Sequence, residues 1–517
     1  MTITTAKRLR LAPLAAASAL LACGPCHADW QFTPTISTTA TWTDNVSLQN
    51  DTLARGQFVT ESAPAFSLVA NGPRLKLAAA SQWHFFAYRD KDLPGLQDRQ
   101  RQYQLDAKAV MVDELLFLDA AASGGPQGIS AFGPQPGSDN LYALGNRTEV
   151  NTWRISPYLR QRFGANADLT LRYTRDGVDA GIQNRFGSSV GSTVNLDLAS
   201  GKAWHALGWG LTYSRQDLDN KLAGASSSQN AALNLRYRLT SYLSATATGG
   251  YDKFDYQALG GATAGRSWSG GAIWTPSQRT TVQASLGRRY FGQTGSLLAS
   301  LRSRRSVWNV SYSDDVTTTR QQFVLPAAID TADMLDRMFA SSIPDPEARA
   351  QAVAAYMQAA GLPPTLSNSI NYLSNRYMRQ KQLQAGAVFR GTHGDLVLSA
   401  FDTARTALSV QQSDSELLGS QLHALNDDIR QRGLNANWTQ RMSSRSTATL
   451  AMTASRTSSV STGLAGNDRL LRAGIHHRFD RQVRGALEVR HHDGDLGASN
   501  GQRFRENAVA ASISVQL

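Results

Sequence analysis

Between Arg147 and Asp176 the chain reads RTEVNTWRISPYLRQRFGANADLTLRYTRD, and its side chains change character at every second position. Trp153, Ile155, Pro157 and Leu159 share one parity, while Arg154, Ser156, Tyr158 and Arg160 share the other. Beyond Gly164-Ala165-Asn166, Leu169, Leu171 and Tyr173 alternate with Thr170, Arg172 and Thr174. Successive side chains of an extended chain point to opposite faces, so this is a hairpin whose strands each have one apolar and one polar face. The polar face carries arginines, which the packed interior of a sandwich does not accept without partners. Lipid on one side and water on the other satisfy both faces, as in the wall of a membrane β-barrel.

The pattern recurs along the whole chain. In 30–44, Phe32, Pro34, Ile36 and Ala40 oppose Thr33, Thr35, Ser37 and Thr39. In 73–89, Leu75, Leu77, Ala79, Trp83 and Phe85 face one way, and Lys76, Gln82 and His84 the other. In 503–517, Val509, Ala511, Ile513, Val515 and Leu517 alternate with Ala508, Ala510, Ser512, Ser514 and Gln516. An apolar last residue in strand register resembles the terminal signal read by the barrel-insertion machinery, with Leu517 where an aromatic is usual. There are about 22 such segments, within a range of about 18 to 24, the weakest being 295–303. Short connections (164–166, 240–241, 392–393, 480–481) interleave with long ones (45–56, 124–146, 318–378, 412–427); the tight link 292–294 breaks the rule. Outer-membrane barrels keep short turns and both termini in the periplasm and put long loops outside. The expected fold is all-β: a transmembrane antiparallel up-and-down barrel, with a short helical insertion in one long loop.

Composition agrees. Charged residues are 18% and mean hydropathy is −0.32, too polar for membrane helices but natural for a wall half of whose side chains meet water. Lys7, Arg8 and Arg10 precede an apolar run over 11–22, too short to span a bilayer. Residues 1–28 therefore read as a secretion signal, leaving 29–517 as the barrel in the outer membrane of a Gram-negative bacterium. Leu20-Leu21-Ala22-Cys23 offers a second route, a lipobox acylated at Cys23. Cys23 and Cys26 are the only cysteines, so cleavage after Ala28 leaves neither disulfide nor thiolate metal site.

The one region without strand pattern is 318–378. Asp330 caps a helix with an apolar stripe of Met334, Leu335, Met338 and Phe339. Asp345-Pro346 begins a second helix, with Val353, Ala354 and Met357 on one face and Gly361, Pro363 and Pro364 ending it. A connection this long is an external cap or a loop folded into the lumen as a gate. Asp330, Asp333, Asp336, Asp345 and Glu347 would suit an arginine-lined interior.

The inward parity is basic. It includes Lys76, Lys108, Arg154, Arg160, Arg172, Arg236, Arg238, Arg472, Arg478, Arg484 and Arg490. Rings of guanidinium favour anions in a pore. The plain alternative is that they pair with Asp106, Asp197 and Glu488 to stiffen the wall. His476-His477 and His491-His492 suggest a metal, but with the turn near Asp480-Arg481 the pairs stand about 20 Å apart. No metal site or cofactor is expected, and no residue is a catalytic candidate: nucleophile elbow, phosphate loop and zinc helix are all missing from the sequence. The pI of 9.8 comes from bases spread along strands, which does not suit nucleic acid. Trp30, Trp42, Tyr88, Trp204, Tyr242 and Phe479, near strand ends, read as interfacial girdle residues. Phe86 and Tyr158 face inward.

The stretches ISTTATWTDNVSL, ELLFLDAAAS, ISAFGP, GNRTEVNTWRISPYLRQRFG and LTLRYTRDGV resemble the outer-membrane β-barrel family associated with the PEP-CTERM/exosortase system of Gram-negative bacteria, most strongly over about 30–215. The resemblance implies a place beside exopolysaccharide synthesis and protein sorting; it supplies no activity or catalytic motif. The resulting expectation is a non-catalytic conduit or accessory barrel for exopolysaccharide secretion, with a basic lumen meeting an anionic polymer. Alternatives are a general diffusion porin for small anions or sugars, and a structural barrel docking periplasmic secretion components. Expected partners are outer-membrane lipid and lipopolysaccharide, the insertion machinery and the anionic polymer.

Overall fold

In the computed structural model the described residues are 29–517, apart from 91–92, 94, 135–139, 144, 181–187, 222–223, 257, 260–261, 325–334, 337–348, 350–352, 354–373, 375, 410–427 and 497–501. The proposed signal 1–28 and most of 318–378 lie outside them. The strands are β1 (Asp29–Thr43), β2 (Gln57–Asn71), β3 (Leu75–Tyr88), β4 (Arg99–Val112), β5 (Leu116–Gly128), β6 (Arg147–Phe163), β7 (Ala167–Ala180), β8 (Ser188–Ser200), β9 (Leu207–Asn220), β10 (Gly224–Arg238) and β11 (Leu243–Asp255). They continue with β12 (Ala264–Ser277), β13 (Thr280–Arg289), β14 (Gly292–Arg302), β15 (Ser306–Thr317), β16 (Met378–Arg390), β17 (Gly394–Ala407), β18 (Asp428–Arg441), β19 (Ser446–Ser459), β20 (Ala465–Arg478), β21 (Val483–Asp495) and β22 (Arg503–Gln516). Each strand pairs antiparallel with the next, and β1 pairs with β22 from Thr35↔Gln516 to Thr43↔Ala508, closing a 22-strand ring. Closure leaves no unpaired edge, the condition for strands to cross a bilayer.

Two adjacent rows show why these residues make this wall. Leu159, Leu171, Leu196, Tyr213, Ala231 and Tyr251 stand opposite one another across β6–β11. The neighbouring row on the other face is Tyr158, Arg172, Asn195, Ser214, Asn230 and Asp252. The first row looks outward and belongs to a belt of exposed large hydrophobics that includes Phe32, Leu211, Leu233, Trp268, Leu286 and Ile513. A continuous apolar belt of this kind is tolerated only against lipid or a partner. Trp30, Trp42, Trp204, Tyr242 and Phe479 are among its exposed aromatics. Tyr88 is not. It shares the inward parity of His84 and Phe86, is buried, and donates its hydroxyl to the carbonyl of Gln97.

Long and short connections mostly alternate as the sequence predicts. The break in that rule is also real: β13 and β14 are short strands joined by residues 290–291 at the end that carries the long loops. The weakest predicted segment is therefore a full member of the ring. A second break lies at 221–223, where β9 and β10 extend into a connection that the alternation makes long. Much of the inner wall of the turn-end half is exposed, as at Lys76, Lys108, Arg160, Arg236 and Arg484, while Val307, Val388 and Val397 form a buried row there. Buried side chains concentrate at the loop end, where long connections fold back into the lumen.

Candidate functional site

A ring of 22 strands is too wide for wall side chains alone to fill, so its interior decides what it does. All eleven predicted basic residues carry lumen parity. The register puts Lys76 opposite Lys108, Arg172 opposite Tyr158, Arg236 opposite Gly208, Arg472 opposite Arg490 and Arg478 opposite Arg484. Arg302, Arg390 and Arg441 face the lumen near the short turns, and sequence reading passed over them because each ends its strand.

Nine of the eleven fall into two groups; of the other two, Arg478 donates to the Ser444 carbonyl at 3.3 Å. Lys76, Lys108, Arg160, Arg236, Arg238 and Arg484 are exposed and make no ion pair among the described residues. Like charges directly opposite across a ladder repel, so Lys76 with Lys108 and Arg478 with Arg484 raise the pull on mobile anions. Arg154, Arg172 and Arg490 are instead engaged. Arg172 pairs with Asp119 at 2.8 Å and lies 3.9 Å over the Tyr158 ring, which stacks on Phe117. Arg490 pairs with the fully buried Glu506 at 2.7 Å; Thr43 donates to the same carboxylate. The acids singled out from sequence do not serve these pairs. Asp106 accepts from Gln104, and Glu488 lies 3.8 Å from His476. The actual partners, Asp119 and Glu506, are set by strand neighbourhood, which no local pattern reveals.

Two of the long connections fill the loop end of the lumen. The first begins after β15. Thr318 leads into a short helix, α1 (Thr319–Val324), which lies inside the barrel. Arg320 is buried and forms an ion pair with Asp176 of β7; it also donates to the Asp176 carbonyl and to Ser189 of β8. Gly191 makes the seat, since a Cβ there would stand 2.8 Å from an Arg320 terminal nitrogen. Gln321 reaches Gln216 of β9, and Arg154 donates to the Val324 carbonyl at 3.1 Å. On the far side Gln322 donates to Gln380 of β16 at 2.6 Å and accepts from Arg405 of β17 at 3.1 Å. β17 stands nearly half-way round the ring from β7, so α1 is a strap joining opposite walls. Burial holds the Arg320 guanidinium below its ordinary pKa, with Asp176 acting against that shift.

The second connection runs from Ile129 to Asn146. Its Leu141, Tyr142 and Ala143 pack with Val46, Val59, Phe86 and Tyr88, and Phe132 packs with Met378 and Ile429. Tyr142 meets Phe86 edge-on at 6.0 Å, and Arg490 donates to its hydroxyl. Above the strap, Tyr256, Tyr290 and Tyr377 gather around Phe254, with Tyr256 stacked on Tyr377 at 4.7 Å. Burial raises all three phenols above their ordinary pKa.

The two predicted helices of 318–378 are described only at Leu335, Asp336, Arg349 and Val353, all helical. Leu335 and Val353 are buried, and Asp336 meets Arg349 at 2.7 Å, so this acid pairs within the loop. Asp330, Asp333, Asp345 and Glu347 lie outside the described residues. His477 stands opposite Gly485 and His491 opposite Leu471, one residue from the Arg484 and Leu470 that a turn centred on Asp480-Arg481 predicts. His492 pairs with Asp468. Among the described residues no group of three metal-ligating side chains comes together.

No family model and no curated protein matches the chain. Among solved structures it is similar to the FrpB iron transporter from Neisseria meningitidis (F5-1 variant, apoprotein form). The TM-score is 0.50 and identity 9%, covering 94% of this chain and 81% of that one. A mutant of the ferric enterobactin receptor PfeA from Pseudomonas aeruginosa also aligns, with TM-score 0.45 and 10% identity over 94% and 80% of the two chains. At these identities the likeness concerns the fold alone: a large closed antiparallel barrel.

Proposed function

We propose that this protein is a non-catalytic transport barrel of the Gram-negative outer membrane, passing anions through a cation-lined lumen gated by its own loops. The observation that carries the reading is the division of the interior. Exposed, unpaired lysines and arginines line the turn-end half, and a strap anchored on opposite walls crosses the loop end. Guanidinium and ammonium groups held in a water-filled bore lower the energy of a passing anion. The barrel likeness to an iron transporter supports transport as the general role.

The finer reading is an acidic exopolysaccharide as cargo. It is supported by the family resemblance and by a basic wall that would meet successive carboxylates of a polymer. The narrowing by α1 favours a second reading, a porin for small anions. The test is efflux from proteoliposomes. An acidic oligosaccharide, a neutral one of equal length and a small anion are loaded together, with the complete chain and with 318–378 deleted. Faster escape of the acidic sugar, increased by the deletion, supports the conduit. Escape of small anions alone from both proteins supports the porin, and equal escape of both sugars overturns anion preference.

A further inference from the structure

The outward face of β16–β20 carries charge where a lipid-facing wall should not. Asp402, Arg432 and Arg456 stand side by side across β17, β18 and β19 on the same parity as the exposed Leu434 and Met452. Arg430 lies one outward position above Arg432, and Arg469 of β20 lies opposite Ala454. Asp402 takes both β18 arginines, Arg430 at 2.6 Å and Arg432 at 3.1 Å. Arg456 and Arg469 are exposed and form no ion pair among the described residues, although Asp493 stands in register with Arg469. Arg432 directly faces Arg456, an arrangement that costs stability unless an anion bridges it.

The height of this cluster is fixed by the residues beneath it. Down the outward face of β18 follow Leu434, Ala436 and the girdle-type Trp438; down β20 follow Leu471, Ala473 and Ile475. From Arg432 to Trp438 is about 20 Å of strand, which a tilt of about 35–45° reduces to about 15 Å of height. Beyond the arginines the outward positions are Arg430, Ser458 and Asn467, so the apolar stretch ends at them, on the side with the long loops. Immediately below them the wall is hollowed. Ala385, Ala400 and Ala454 floor a shallow concavity of about 420 Å³, bordered by Leu383 and Leu434 and roofed by Arg432, Arg456 and Arg469.

We propose that this face is a docking site for a phosphorylated glycolipid of the outer leaflet. Its sugar phosphates would bridge Arg432, Arg456 and Arg469, and an acyl chain would lie in the alanine-floored trough. Planar guanidinium groups bind phosphate bidentately, and the site combines that chemistry with an apolar groove at the matching depth. The site is independent of what crosses the lumen, since every residue in it points away from the bore.

The test is native mass spectrometry of the detergent-solubilised chain with added bisphosphorylated lipid A, monophosphorylated lipid A or phosphatidylglycerol. The expected result is at least tenfold tighter binding of bisphosphorylated lipid A than of either other lipid. R432Q/R456Q/R469Q should lose at least tenfold. R215Q, an outward arginine on the distant β9 that is already paired with Asp217, should bind as the parent does. Heat-modifiable gel migration checks that variants are folded, and the three-lipid comparison on the unmodified chain decides the matter should the triple variant misfold. Equal binding of all three lipids, unchanged binding by a folded triple variant, or equal loss in R215Q would overturn the proposal.

Discussion

Replacing Arg320 with alanine should open the barrel. Arg320 and Asp176 are 5% and 3% exposed at their side chains, so their ion pair is shielded from water. Removing one partner of a buried pair costs about 3–5 kcal/mol, because the remaining charge stays desolvated. That cost falls on the closed state alone: once the strap leaves, water reaches Asp176. Four weaker ties remain, to Gln216, Gln380, Arg405 and Arg154, each worth about 0.5–1.5 kcal/mol if neutral and more where arginine donates. At about 1.4 kcal/mol per factor of ten, R320A should raise the ratio of open to closed time at least about a hundredfold. Single-channel recording in planar bilayers at fixed voltage reads this ratio directly. D176N should act in the same direction, and R320A/D176N should fall well short of the sum, since both remove one interaction. An unchanged ratio in R320A, or strict additivity of the two, would refute the claim that this pair holds the strap.

Gly191→Val should mimic R320A in the same recording, because its side chain occupies the space of the guanidinium while both charged residues remain in the chain. Glu506→Gln leaves Arg490 buried beside an uncharged partner and should destabilise the β21–β22–β1 seam by about 3–5 kcal/mol, read as earlier loss of heat-modifiable gel migration. The phenols of Tyr256, Tyr290 and Tyr377 have raised folded-state values, so their neutral packing is fully present below the unfolded value of about 10 and is lost as pH rises beyond it. Absorbance at 295 nm should accordingly show at least these three tyrosines ionising later in the folded protein than after denaturation.

The wall was legible because each strand residue faces one of two solvents. Lipid and water sort side chains by parity, and that sorting survives in Leu169–Thr174 as clearly as in Val509–Leu517. Parity also gave the lumen face of every basic residue named. Position along a strand carried less information. Tyr88 lies at a strand end as a girdle residue would, but its parity with His84 turns it into the core under Tyr142. His491 pairs one residue away from its expected partner because register depends on the number of residues in the turn at 479–482. The strap was not legible. Arg320 meets Asp176 across 144 positions of chain, and Thr319–Val324 has no apolar stripe to mark it as an inserted helix. Glu506, buried beside Arg490, looks in sequence like any polar residue of an alternating strand.

The zero-current potential of R320A in a bilayer separating concentrated from dilute potassium chloride tests the charge of the bore most directly. With Lys76, Lys108, Arg160, Arg236, Arg238 and Arg484 exposed to the permeating solution, the potential should lie toward the chloride equilibrium value. A potential lying toward the potassium value would contradict a bore that selects anions.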